Sequence, residues 1–193
     1  MRVIILGGYG VFGKRISEAL AHEENLTLII AGRSLDKAQE FANKLSVEAA
    51  YVEIEKNLES AFEELKPQIV INCCGPFQGK EFTVLQECIS QEIHYIDLAD
   101  GRDYVSNFIQ KHEQAKAHKV MAFTGASTVP AISSAVIDSL LQTGFSEIHS
   151  LDYGVTPGNQ TERGVATVAA ILSYVGKPFS TLIDGQEKGV FGW

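Results

Sequence analysis

Val3-Ile4-Ile5-Leu6-Gly7-Gly8-Tyr9-Gly10-Val11-Phe12-Gly13 decides the fold. Four aliphatic residues in a row suit a strand covered on both faces, as in a parallel sheet. Glycines follow at 8, 10 and 13, a Gly-x-Gly-x-x-Gly pattern. Then Phe12, Ile16, Ala19 and Leu20 recur at helical spacing. Each glycine has a physical task in such a motif. Gly8 permits a tight turn, Gly10 lets backbone approach a pyrophosphate, and Gly13 lets the helix pack close on the strand. The helix N-terminus offers free N–H groups and partial positive charge to an anion. A strand before and a helix after make this a dinucleotide-binding fingerprint rather than a glycine-rich turn. The predicted cofactor contacts here are Gly8, Tyr9, Gly10, Val11, Phe12 and Gly13.

The same alternation extends along the chain. Strands are predicted at 2–6, 26–32, 49–54, 68–74, 94–99 and 120–125, each nearly continuous in hydrophobicity. Helices are predicted between them at 11–23, 34–45, 57–65, 78–90 and 103–117, with Ser34 as an N-cap. Strand–helix alternation of this kind gives βαβ units, hence an α/β fold with a doubly wound parallel Rossmann sheet. After Gly125 the pattern changes. A helix is expected from Thr128 to about Leu141, with Pro130 in its first turn. A strand at 147–155, a loop at 156–159, a helix at 164–175 and a strand beginning near Leu182 follow. This divides the chain into a dinucleotide-binding domain, 1–127, and the start of an incomplete second α/β domain, 128–193.

In such sheets the ligand lies beyond the carboxyl ends of the strands. The second strand ends Ala31-Gly32-Arg33-Ser34, with no acid to take a ribose 2′-hydroxyl. Arg33 suits a 2′-phosphate, with help from Ser34 and Lys37, which favours NADP over NAD. The fourth strand ends Asn72-Cys73-Cys74-Gly75-Pro76-Phe77. Cys74, Gly75 and Pro76 are expected beside the cofactor, with the cysteines read as small buried fillers before nucleophiles. The fifth ends Asp97-Leu98-Ala99-Asp100-Gly101-Arg102. Asp97, Asp100 and Arg102 are the candidate catalytic residues, with N-capping of the next helix as the structural alternative for the acids. The sixth ends Thr124-Gly125-Ala126-Ser127-Thr128 at the same edge.

These blocks together resemble the NADP-binding domain of the saccharopine dehydrogenase-like family. The likeness rests on Val3 to Gly10, Ala31 to Ser34, Asn72 to Phe77, His94 to Asp100 and Thr124 to Pro130. It spans about the first 145 residues. It implies a Rossmann domain followed by a mixed α/β substrate and dimerisation domain. It also implies hydride transfer between NADP(H) and a carbon bearing an amine or imine, on an amino-acid-like substrate. Two departures stand out. Family members often carry Tyr where this chain has Phe77, and many have Gly-Glu after the fifth strand, where this chain has Ala99-Asp100-Gly101-Arg102. A non-catalytic NADP-binding sensor or interaction module would share the glycine loop and Arg33. A short-chain dehydrogenase is rejected, because no tyrosine is followed four residues later by lysine.

Composition sets the outer bounds. The chain has 193 residues, 16 basic against 24 acidic, for a net charge of -8. That balance disfavours nucleic acid as a partner, since phosphate contacts need a basic face. No apolar run reaches the roughly 18–20 residues of a membrane span. Cys73, Cys74 and Cys88, without a leader pattern, fit a reducing cytoplasm. No Cys-x-x-Cys or His-x-x-x-His spacing occurs, so no metal site is predicted. The expected partner is a small-molecule substrate, with a homodimer left open. Six strand–helix alternations account for the first two-thirds only, so the chain is expected to be a fragment of a longer protein.

Overall fold

The computed structural model describes residues 1–144, 147–151, 154, 158, 160, 161 and 164–192. Strand β1 (Arg2–Leu6) sorts the core into two layers by its pleat. Ile4 and Leu6 point to one face, where they meet Leu58 and Phe62 of α3 (Leu58–Leu65) and Leu85 and Ile89 of α4 (Thr83–Ser90). Val3 and Ile5 point to the other, among Ile16 and Leu20 of α1 (Val11–Leu20) and Ala38, Phe41 and Ala42 of α2 (Leu35–Leu45). Both faces of the strand are therefore dry, which is why its sequence is unbroken aliphatic.

The remaining strands are β2 (Thr27–Gly32), β3 (Glu48–Tyr51), β4 (Ile69–Asn72), β5 (His94–Asp97) and β6 (Ala122–Phe123). They form one parallel sheet in the order β3-β2-β1-β4-β5-β6. Val3 pairs with Leu28 on one side and Ile69 on the other. The chain leaves β1 toward β2 and returns across it to β4, so the loops after β1 and β4 diverge and leave a crevice at their carboxyl ends. This is the expected doubly wound Rossmann sheet.

Several local boundaries differ from expectation, each for a physical reason. The helix expected from 78 starts only at Thr83, because Gly79 adopts φ +66° and cannot be helical. The helix expected at 103–117 is split into α5 (Arg102–Asn107), a 3₁₀ turn (Phe108–Lys111) and α6 (His112–Ala117). At the break, the Phe108 ring packs with Phe82, Tyr95 and Tyr104 at centroid distances of 5.9, 6.3 and 6.5 Å. Ser34 stands at the N-cap of α2, yet its side chain makes no capping bond. In the helix expected from Thr128, Val129 is extended at φ -124°, ψ 125°, so the helical run begins at Pro130, its expected first-turn residue, and continues into α7 (Ser133–Gln142).

Beyond α7, α8 (Val165–Ser173) is followed by β7 (Pro178–Ile183) and β8 (Gln186–Phe191), an antiparallel hairpin. Asp184 and Gly185 both take positive φ (53° and 72°), the pattern of a two-residue hairpin turn. Leu182 thus lies near the end of a strand rather than at its start. The strand expected at 147–155 lies partly outside the described residues, and Glu147–Leu151 form no strand. Most of the loop expected at 156–159 also lies outside them. No helix among the described residues is long and apolar enough to cross a membrane. Ile132, Val136 and Leu140 make an exposed apolar stripe along the turn into α7 and α7 itself, at helical spacing.

Candidate cofactor and active site

The loop after β1 turns at Gly7, not Gly8: Gly7 takes φ +74°. Gly7 N–H donates to Ala31 O at 2.8 Å, and Gly10 N–H to Gly7 O at 2.8 Å. Gly8 is needed for closeness instead, since a Cβ there would lie 3.0 Å from Ile30 Cγ2 and from Ile5 O. Gly13 is tighter still. Its Cβ would strike Gly7 O and come within 2.7 Å of Gly8 Cα. Ser17 Oγ, fully buried, donates to Gly8 O at 3.2 Å and ties α1 to the loop. Gly10 is different: its Cβ would meet only Gly7 O, at 3.1 Å, so the loop presents open backbone there. Among the described residues, Val11, Phe12 and Gly13 N–H find no acceptor, and Phe12 is exposed. Unpaired N–H groups at a helix start, beside backbone with no Cβ in the way, fit a pyrophosphate.

At the end of β2, Arg33 is exposed and makes no hydrogen bond or ion pair among the described residues. Its charge falls on Glu53, whose carboxyl is held below its usual range first by the Tyr51 hydroxyl and then by Lys56, with Arg33 adding to both. Ser34 is half-buried, and Lys37 is exposed in the first turn of α2. No carboxylate closes β2 itself, and Arg33, with the Glu53 carboxylate near it, is the cation at this end of the crevice.

At the end of β4, Asn72 is buried. Its Oδ1 accepts Cys74 N–H at 3.0 Å and its Nδ2 donates to Tyr95 Oη at 3.2 Å. The backbone then passes through Gly75-Pro76, a cis peptide. Cys74 turns inward, where its Sγ would sit 3.1 Å from a Cβ on Gly7. Burial pushes the Cys74 thiol up to about 11 against the opposing charge of Arg33, and Cys73 to about 12. Both stay protonated at neutral pH, as packing groups do and nucleophiles do not. Phe77 is buried against Tyr104, ring centroids 5.3 Å apart.

The β5 candidates separate. Asp97 has no exposed surface. Its Oδ1 accepts Ala99 N–H (3.0 Å), Thr124 Oγ1–H (2.8 Å) and Gly125 N–H (3.0 Å), while Oδ2 is buried without a partner. It lies behind the edge and joins the loops after β5 and β6. Its charge, together with burial, holds the Tyr95 and Tyr104 hydroxyls above their usual range, burial being the larger cause. Asp100 is exposed, and its Oδ1 accepts Gln78 Nε2–H at 3.0 Å, which joins the β4 and β5 loops. It does not cap α5, whose N-cap is Gly101. Arg102 reaches away to the hairpin. Its Nη1 donates to Ser180 O, its N–H to Tyr174 Oη at 3.3 Å, and its guanidinium lies 5.0 Å over the Phe179 ring. Asp100, Arg102, Tyr174, Phe179 and Phe191 line a shallow cleft between sheet edge and hairpin.

Site residues that the sequence does not single out include Ser17, Asn72 and Gln78, and Gly32 as the seat of Tyr9. A glycine closing a strand signals close approach of another group, and that signal was available at Gly32.

A family model, the saccharopine dehydrogenase NADP binding domain, matches residues 3–127. The chain belongs to this family. The matched region coincides with the six-stranded sheet and its carboxyl-edge loops, and NADP is the cofactor of this domain. The saccharopine dehydrogenase-like oxidoreductase of Rattus norvegicus is 23% identical over 151 residues, covering 67% of this chain and 35% of the rat protein. The 4-hydroxy-tetrahydrodipicolinate reductase of Syntrophomonas wolfei is 28% identical over 75 residues, 39% of this chain and 28% of that protein. Apo saccharopine dehydrogenase (L-Glu forming) from Saccharomyces cerevisiae shares the fold, with a TM-score of 0.62 and 14% identity over 74% of this chain and 31% of that one. This member of the saccharopine dehydrogenase family therefore spans about a third of the length of the curated relatives it matches.

Proposed function

We propose that the protein is an NADP-dependent oxidoreductase of saccharopine dehydrogenase type, acting at the amine or imine carbon of an amino-acid-like substrate. The observation that carries this is the pairing of an open glycine loop at Gly10 with an exposed, uncommitted Arg33 at the end of a β2 that lacks an acid. Backbone N–H groups of Val11, Phe12 and Gly13 take the pyrophosphate, and Arg33, with Ser34 and Lys37 beside it, takes the 2′-phosphate. NADP, when bound, supplies or receives the hydride. Gly75 and Pro76 wall the crevice beside β1. Asp97 fixes the loops after β5 and β6 from behind. Asp100, held by Gln78 at the edge, is the acid placed to meet a polar substrate group or exchange its proton. Arg102 ties region 128–193 to that edge, in keeping with a second, substrate-bearing domain that begins there.

The test is oxidation of NADPH by the whole protein on a panel of 2-oxoacid plus amino-acid pairs. Turnover with at least one pair is expected, and Asp100→Asn should lower kcat about 10²-fold or more if it exchanges the proton. NADPH binding without turnover on any pair would instead assign a non-catalytic NADP-binding module.

A further inference from the structure

Tyr9 occupies a variable position of the glycine loop, yet it is committed to the other side of the crevice. Its ring lies against Gly32: a Cβ at Gly32 would fall 2.7 Å from Tyr9 Cε1 and Oη. Its hydroxyl oxygen accepts Ser34 N–H at 3.0 Å. That N–H belongs to the Arg33–Ser34 peptide. The bond therefore fixes the peptide plane leaving Arg33 and, with it, the direction in which the Arg33 side chain departs. The Arg33 guanidinium makes no hydrogen bond or ion pair among the described residues, while its flanking backbone is also held by Val52 N–H to Gly32 O and Ala38 N–H to Ser34 O, each at 3.1 Å. Gly7 and Gly8 N–H already tie the loop to Ala31 O at 2.8 and 3.3 Å, and the Tyr9 hydroxyl adds a link to the Arg33–Ser34 peptide itself. A tyrosine serving only to fill space over Gly32 would need its ring and not its hydroxyl.

We infer that Tyr9 is a specificity-determining positioning residue, whose hydroxyl sets Arg33 toward the 2′-phosphate and so couples NADP preference to the glycine loop. The inference rests on Arg33 reading the 2′-phosphate.

Fluorescence titration with NADPH and NADH tests this on four proteins: wild type, Tyr9→Phe, Arg33→Ala and the double variant. Tyr9→Phe retains the ring over Gly32 and removes the acceptor. Its NADPH affinity should fall about three- to tenfold more than its NADH affinity, the span of one lost hydrogen bond. In the Arg33→Ala background the same change should shift the NADPH-to-NADH ratio less than about twofold, because the group being positioned is gone. Equal loss for both nucleotides, or an unchanged ratio, overturns the positioning role while Arg33→Ala still lowers the ratio. An Arg33→Ala protein with an unchanged ratio overturns the reading of Arg33 itself. A ratio lowered equally by Tyr9→Phe with and without Arg33 shows the hydroxyl acting directly on the ligand and overturns the coupling.

Discussion

Asp97→Ala should lower folding stability by about 3–5 kcal/mol, among the largest single-residue effects in this chain. The carboxylate is fully buried and its Oδ1 satisfies three donors, Ala99 N–H, Thr124 Oγ1–H and Gly125 N–H. Alanine leaves the buried Ala99 and Gly125 N–H groups and the half-buried Thr124 hydroxyl without this acceptor, and each buried orphan costs on the order of 1–3 kcal/mol. The two backbone donors cannot turn away, because they belong to loops pinned at the ends of β5 and β6. For a chain of this size the loss corresponds to a fall in Tm of about 10–15 °C. Asp97→Asn retains an acceptor on Oδ1 and should cost less. Thermal unfolding followed by circular dichroism reads both. An alanine variant within about 1 kcal/mol of wild type would show that these bonds do not hold the edge together.

Gly13→Ala and Gly10→Ala should separate folding from binding. A Cβ on Gly13 meets backbone on the opposing loop, with Gly8 Cα at 2.7 Å and Gly7 C at 2.8 Å. Backbone has no rotamer by which to yield, so α1 must move off β1. The cost should reach about 3 kcal/mol, the upper part of the overpacking range. At Gly10 the added Cβ meets only Gly7 O at 3.1 Å. That variant should lose about 1 kcal/mol or less of stability. It should still lose NADPH affinity about tenfold or more, because the methyl would stand where the proposed site takes the pyrophosphate. Urea unfolding and nucleotide titration on the two proteins check the contrast. A stable Gly13→Ala protein, or a Gly10→Ala protein that binds NADPH as wild type does, would break the assignment of tasks within the loop.

The layered sheet is legible in the sequence because burial on both faces leaves a one-dimensional mark. Val3 to Leu6 needs no partner to be recognised as a buried strand, and six such runs separated by helical periods leave few topologies. The glycine loop is legible for the same reason, since each glycine reports a steric fact. What the pattern does not carry is which of several adjacent glycines bears which task. Gly7 takes the positive φ, and Gly8 the close contact with Ile30 and Ile5. Nor does it carry how polar side chains divide the labour at a loop. Asp97 and Asp100 sit three residues apart at the end of one strand, yet one is sealed behind the edge and the other lies on it. That difference follows from β5 ending at Asp97, which leaves Asp100 in the loop, and from Thr124 and Gly125, which arrive from 27 and 28 residues further along the chain. Gly79 interrupts an otherwise helical stretch through its φ, a local signal that hydrophobic periodicity overrides. The Tyr9–Ser34 bond joins residues 25 apart and leaves no mark in spacing at all.

Arg33 reading the 2′-phosphate is the central claim, and paired titration of NADPH and NADH on wild type and Arg33→Ala tests it most directly. Wild type should bind NADPH about tenfold or more tightly than NADH, and Arg33→Ala should bring the two affinities together by weakening NADPH alone. Equal affinities in wild type, or an Arg33→Ala protein that loses both nucleotides alike, would contradict it.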